Sequence, residues 1–239
     1  KEYRRQRQMC IRDRYVLSGW VALFVRSSRR GGSGTKESVA RSVIGGLRYV
    51  KGQQVLWATL VLVLIFESSG WTFHTTLVPI FARNELGVDS SGLGLLLFAF
   101  GAGAVAASLG WATIGSQLPV GRYMIGSVVV WHASILIFST SQSFYVSMAI
   151  LVVTGAGFAS TQFFMLSALL GNTLPEYRGR VMSLRSLAIY AFALGSISSG
   201  AVADVWSAPH AAAVVGMMGI VLVLLLAVLA PKLRRLQAS

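Results

Sequence analysis

The 239-residue chain is 54% hydrophobic, only 12% charged, and carries a formal net charge of +13. With a mean hydropathy of +0.66, this composition excludes an ordinary soluble globular domain and points to a multi-span membrane protein. The Lys and Arg residues sit in short segments between apolar runs, a pattern that orients helices in a bilayer rather than building a nucleic-acid face, so no nucleic-acid partner is expected.

Residues 1–14 are polar and strongly basic. Within them, Gln8 to Arg14 reads like translated sequencing-adaptor DNA, so the segment is set aside as non-native. Cys10, the single cysteine, allows neither an intramolecular disulfide nor a Cys-based metal site. Residues 15–25, Tyr15 to Val25, form an apolar run too short to span a bilayer at ~1.5 Å per residue and read as the truncated end of a preceding helix. A signal-peptide core is disfavoured because Arg26, Arg29 and Arg30 follow it in place of a small-residue cleavage site.

Residues 26–54 form a hydrophilic connector. Val39, Val43, Ile44, Leu47 and Val50 recur there at helical spacing between Lys36, Arg41, Arg48 and Lys51. That pattern predicts an amphipathic helix, lying either on the membrane surface or as a solvated linker. Residues 55–231 then hold six candidate spans: Leu56 to Phe81, Gly92 to Ile114, Tyr123 to Phe138, Phe144 to Leu170, Val181 to Ala203, and Ala211 to Ala230. The links between them are short enough to require antiparallel neighbours. Residues 232–239 are a basic tail.

The basic residues of the connector, of the Arg122 turn, of the Arg178/Arg180 turn and of the tail (Lys232, Arg234, Arg235) fall on one face of a six-span arrangement, and Arg83 alone on the other. By the positive-inside rule the basic face is cytoplasmic.

Glu67 lies near the middle of the first span. A carboxylate there costs about 2.5 to 3.5 kcal/mol on insertion scales, so it is expected to face protein or water and to mark a pathway. Projected at 100° per residue, Trp71 and His74 share its face, although Glu67 and His74 are roughly 10 Å apart along the axis. Glu67 is therefore a candidate for proton coupling or cation recognition; the competing reading is a protonated carboxyl bonded to Ser68, Ser69 or a neighbouring helix. His132, on the third span, is a weaker candidate. Gln162 with Phe163 and Phe164 offers one polar group among aromatic surfaces on the fourth span. Pro79 removes a backbone donor and frees the carbonyl of Thr75. Small-residue runs such as Gly101 to Ala104 and Gly155 to Gly157 predict close helix packing. Neither a P-loop nor a His-Glu-x-x-His motif is present. Gly31 to Gly34 has the Gly-x-Ser-Gly form of an intramembrane serine protease but lies in the basic connector. No cofactor, metal or catalytic residue is expected.

Asn172-Thr-Leu-Pro-Glu-Tyr-Arg-Gly-Arg-Val-Met-Ser-Leu184, followed by Gly195, Gly200 and Asp204, resembles the tenth-to-eleventh-helix region of major facilitator superfamily exporters, in particular the enterobactin-exporter-like branch. The resemblance runs from Arg41 to Pro231. It implies an all-α membrane protein, the C-terminal six-helix half of a twelve-helix fold, built as two inverted three-helix repeats with the substrate site near the midplane. By the same resemblance the first and fourth spans line the cavity, with Glu67, Trp71, His74 and Gln162 on it; the second and fifth meet the missing N-terminal half; the third and sixth face lipid. Arg122, Arg178 and Arg180 would serve cytoplasmic gating. Of the family's Gly-x-x-x-Asp-Arg-x-Gly-Arg motif only Gly121-Arg122 survives, with Ser116 and Gln117 near the place of the acid. The implied function is secondary transport, a proton-coupled export of small amphipathic molecules such as drugs or siderophores across a bacterial cytoplasmic membrane. A six-span receptor or scaffold, and a membrane-embedded enzyme, are the alternatives.

Overall fold

The computed structural model describes residues 39–115 and 118–237. The readings for residues 1–38, including the adaptor-like segment and Tyr15 to Val25, and those for Ser116 and Gln117, lie outside the described residues.

Among the described residues, six helices have the length and apolarity to cross a membrane. After a short helix α1 (Val39–Lys51) come α2 (Gln54–Asn84), α3 (Ser90–Ile114), α4 (Val120–Phe138), α5 (Phe144–Gly171), α6 (Arg178–Val205) and α7 (Ala208–Leu229), then one turn, α8 (Pro231–Arg234). Each span coincides with a predicted one, yet most begin two or three residues earlier. Arg122 sits in the first turn of α4, and Arg178 and Arg180 in the first turn of α6, rather than in the connecting turns. The apolar run ends before the helix does, because helical hydrogen bonding continues into the polar interface. Local chemistry fixes the helix starts: Asp89 accepts the Gly92 N–H at 2.9 Å ahead of α3, and Ser207 accepts that of His210 ahead of α7, where Pro209 supplies an early helical position. Gly87, at φ +61°, makes the turn between α2 and α3.

Consecutive spans alternate in direction, so α2–α4 and α5–α7 are two triplets of opposite orientation. Their packing is exchanged. The second helix of each triplet lies against the first helix of the other, α3 on α5 and α6 on α2, while the third helices α4 and α7 pack together and against α5 and α2 respectively. Missing side chains permit both exchanged contacts. A Cβ on Gly103 would collide with the Val152 carbonyl, one on Gly155 with that of Phe100, and one on Gly195 with that of Ser68. Hydroxyl pairs add interhelical bonds, Thr154 to Ser134 (2.9 Å) and Thr161 to Ser127 (3.1 Å) between α5 and α4, and Thr76 to Ser196 (3.0 Å) between α2 and α6.

Two helices depart from regularity. α2 is π-helical over Phe66–Trp71 and again over Phe73–Leu77. Four hydroxyls in that region turn back on carbonyls four residues earlier, Ser68 on Leu64, Ser69 on Ile65, Thr72 on Ser68 and Thr75 on Trp71. Such back-bonding competes with the i→i−4 ladder, and Pro79 withholds the next donor, so the helix relaxes into wider turns. In α6 the helical run lapses at Tyr190, dividing it into Arg178–Ile189 and Ala191–Val205.

α1 packs on the protein rather than standing free as a linker. Tyr49 stacks on Tyr177 (centroids 4.1 Å, 3° between planes) and its hydroxyl accepts the Leu174 N–H at 3.1 Å. Val50 is buried against Leu56, Val181 and Leu184, whereas Ile44 and Leu47 remain exposed.

Candidate functional site

The centre of the bundle is an aromatic block. Phe66 and Trp71 of α2, Phe100 of α3, Trp131 of α4 and Phe158 of α5 meet with centroid separations of 4.9 to 5.9 Å, and His74 stacks on Phe100 at 3.9 Å. Gly70 makes room for Trp131, whose indole nitrogen lies where a Cβ would go. His74 is half-buried, with Nδ1 enclosed and without a partner.

Glu67 is the second residue of the first π-helical stretch and is 4% exposed. Because π turns are wider than 100° per residue allows, the predicted stripe of acid, indole and imidazole does not carry through this stretch. Trp71 and His74 remain neighbours at 5.1 Å, but no hydrogen bond or ring contact joins either to Glu67. Nor do the adjacent hydroxyls serve the carboxyl, since Ser68 and Ser69 bond to backbone carbonyls. The charge that acts on it electrostatically is Arg185 of α6. Arg185 in turn donates from Nη2 to Gln162 Oε1 of α5 at 3.0 Å, while its Nε is buried without a partner. One acid, one guanidinium and one amide, from α2, α6 and α5, are thus brought to the same region. In a low-dielectric interior an acid and a base that share no direct bond can exchange partners at modest cost, unlike a tightly paired buried ion pair.

Arg185 is the residue that sequence reading missed, although the signal was available. It is a charged side chain inside the predicted span Val181 to Ala203, and the argument that singled out Glu67 applies to it equally.

His132 is placed differently from the lipid-facing position its span implied. It is fully buried between α2, α4 and α7. Its Nδ1–H donates to the Val128 carbonyl (2.9 Å), and Nε2 lies 2.8 Å from Ser69 Oγ. Gly219 of α7 leaves the space that the ring fills. A peripheral helix still has an inward face, and the imidazole is on it.

The three arginines assigned to gating separate into two groups. Arg178 Nε donates to the Thr173 carbonyl (3.4 Å), and the Arg180 guanidinium lies 5.5 Å from the centre of the Tyr177 ring and against Gly45 of α1. Arg180 thus belongs to the α1–α6 junction and Arg178 to the α5–α6 link. Arg122 lies apart on α4, lining a hollow with Arg234 and Arg235. Among the described residues no three His, Cys, Asp or Glu side chains converge as a metal site would need.

A bundle of six membrane-length helices in exchanged, inverted triplets defines a multi-pass membrane protein of the major facilitator type. Residues 15–239 match the family of transmembrane secretion effectors, and the chain belongs to that family, one of membrane transporters. No curated protein matches it.

Proposed function

We propose that the chain is the C-terminal six-helix half of a secondary transporter of the enterobactin-exporter-like branch, exporting small amphipathic molecules from a bacterial cytoplasm in exchange for protons. The observation that carries this reading is the bond between Arg185 and Gln162 of two helices, with buried Glu67 of a third helix within electrostatic reach of the guanidinium. Glu67 is the proton-coupling group. When ionised it attracts Arg185; when protonated it releases that attraction, and the guanidinium is free to favour Gln162 or a substrate. Trp71 and His74, with Phe158, supply a flat apolar surface for an amphipathic solute.

Alternating access follows if the two packings of the half against its partner differ in affinity for the proton and the substrate, since a ligand shifts an equilibrium only by differential binding. A second six-helix body covering α3 and α6 fits the low burial of their spans, 22% and 11%, against 61% for α2. Arg180, which lies against α1, Arg178, which ties the start of α6 to the α5–α6 link, and Arg122, at the start of α4, act on closure at the cytoplasmic side. Glu67→Gln in the full-length transporter, assayed in inverted membrane vesicles under an imposed pH gradient, should reduce proton-driven transport by at least about tenfold, as removal of an essential proton carrier does, with normal membrane insertion. Undiminished proton-driven transport would sink the assignment.

A further inference from the structure

We propose that the cleft between α3 and α4 is a binding site for an anionic glycerophospholipid, with an acyl chain in the cleft and its phosphate on Arg122, Arg234 and Arg235. The two triplets differ here. α6 and α7 pack side by side, but their counterparts α3 and α4 do not come together in the same way, and α5 forms the floor between them. What is left is a groove of about 470 Å³, walled by Trp111 of α3, Tyr123 and Val130 of α4, and Val153 and Phe164 of α5.

Most polar groups of this wall are already engaged. Trp111 Nε1–H donates to Ser160 Oγ at 2.6 Å, and Ser127 donates to the Met124 carbonyl while accepting from Thr161. The surface offered to an occupant is therefore mainly aromatic and aliphatic, the Tyr123 hydroxyl being the one aromatic polar group of the wall without a hydrogen bond among the described residues. From Arg122 to Val130 it runs ~12 Å along α4, close to the depth of one leaflet of a ~30 Å hydrocarbon core. That is the shape of an acyl chain.

At its basic end the groove continues into a second hollow of about 440 Å³ lined by Arg122, Gly126, Arg234 and Arg235, with Arg122 and Gly126 common to both. The fold assembles this cluster deliberately. α8 turns back on the start of α4, where the Gly121 N–H donates to the Leu236 carbonyl (3.0 Å) and the absent Gly121 side chain admits the Leu233 carbonyl. The Lys232 N–H, bonded to Gln54 Oε1 at 3.1 Å, fixes the other side of the turn. Among the described residues none of the three arginines is held in an ion pair. Three like charges gathered beside an apolar groove on the cytoplasmic face complement a lipid phosphate, to which guanidinium presents a matched fork of donors.

Native mass spectrometry of the full-length protein, titrated in parallel with dioleoyl phosphatidylglycerol and dioleoyl phosphatidylcholine, measures the preference. The first phosphatidylglycerol should be retained on the order of tenfold more strongly than phosphatidylcholine. R122Q/R234Q/R235Q should bring the two to parity, whereas R122K/R234K/R235K should keep most of the difference, separating lost charge from lost fold. A phosphatidylglycerol with a photoreactive acyl chain should label the wall around Trp111, Tyr123 and Phe164. G126L, whose added side chain meets no protein atom within 4 Å at its Cβ, should reduce that labelling severalfold by filling the junction. Equal retention of both lipids by the wild type, an undiminished preference in the Gln variant, labelling concentrated on α6, or displacement of the lipid by a transported amphipath would each overturn the proposal.

Discussion

The two triplets begin from one plan and diverge at their first helices. α5 is a continuous 28-residue α-helix, whereas α2, which packs in the corresponding way, gives way to π turns across its middle third. The sequences explain the contrast. α2 concentrates Ser68, Ser69, Thr72 and Thr75 within eight residues and ends that stretch near Pro79, while the back-bonding hydroxyls of α5, Thr154 and Ser160, stand six residues apart and also bond across to α4 and α3. One first helix is thus unbroken, and the other has a backbone ladder that is loosened where its carboxylate lies. The shared architecture gives the frame, and departures from it mark where function is expected.

The strongest way to break this comparison is to remove a contact that both triplets share. Gly103→Leu and Gly195→Leu each drive a side chain into a facing backbone carbonyl, with no flexible group to yield. Each should cost about 3 kcal/mol or more, seen as loss of monodisperse protein in detergent chromatography; if one variant were tolerated and the other not, the exchanged contacts would not be equivalent. Arg185→Gln comes next. It leaves Gln162 without its partner and Glu67 without the neighbouring charge, and transport should fall about tenfold or more, non-additively with Glu67→Gln if the two act as a unit. Additive losses would separate them. The smallest effect is expected from Pro79→Ala, which restores a donor to α2. It should stabilise the protein by about 0.5 to 1 kcal/mol in a thermal melt while slowing transport, and an unchanged melting temperature together with unchanged transport would show that the π turns owe nothing to Pro79.

The spans were legible because a run of some twenty apolar residues has few other solutions in an aqueous cell. Glu67 was legible for the complementary reason, as a charge where charges are costly. Arg185 carried the same signal but sat four residues inside the predicted boundary of its span, where a basic residue reads as interfacial. The nearness of Glu67 to a charge on α6 was not legible, since it depends on which triplet each helix packs against. The π turns were hidden as well. They arise from cooperative back-bonding of several hydroxyls, each of them ordinary alone. His132 shows the limit of assigning burial by helix position, because Gly219, 87 residues later, decides whether the ring has room. The docking of α1 likewise rests on a Tyr49–Tyr177 pairing 128 residues apart in the chain.

The interruption of α6 at Tyr190 separates anchoring from sensing within a single span. Above it, Gly195 is seated on the backbone of α2; below it, Arg185 reaches toward Glu67 and Gln162. Five residues of helix make a lever arm of ~7.5 Å, so a bend of about 10° at Tyr190 swings the Arg185 backbone by ~1.3 Å. That displacement takes a 3.0 Å hydrogen bond beyond bonding range. A hinge this close to its load turns a small tilt into a change of partner, and the upper half of α6, seated on α2 at Gly195, need not move at all.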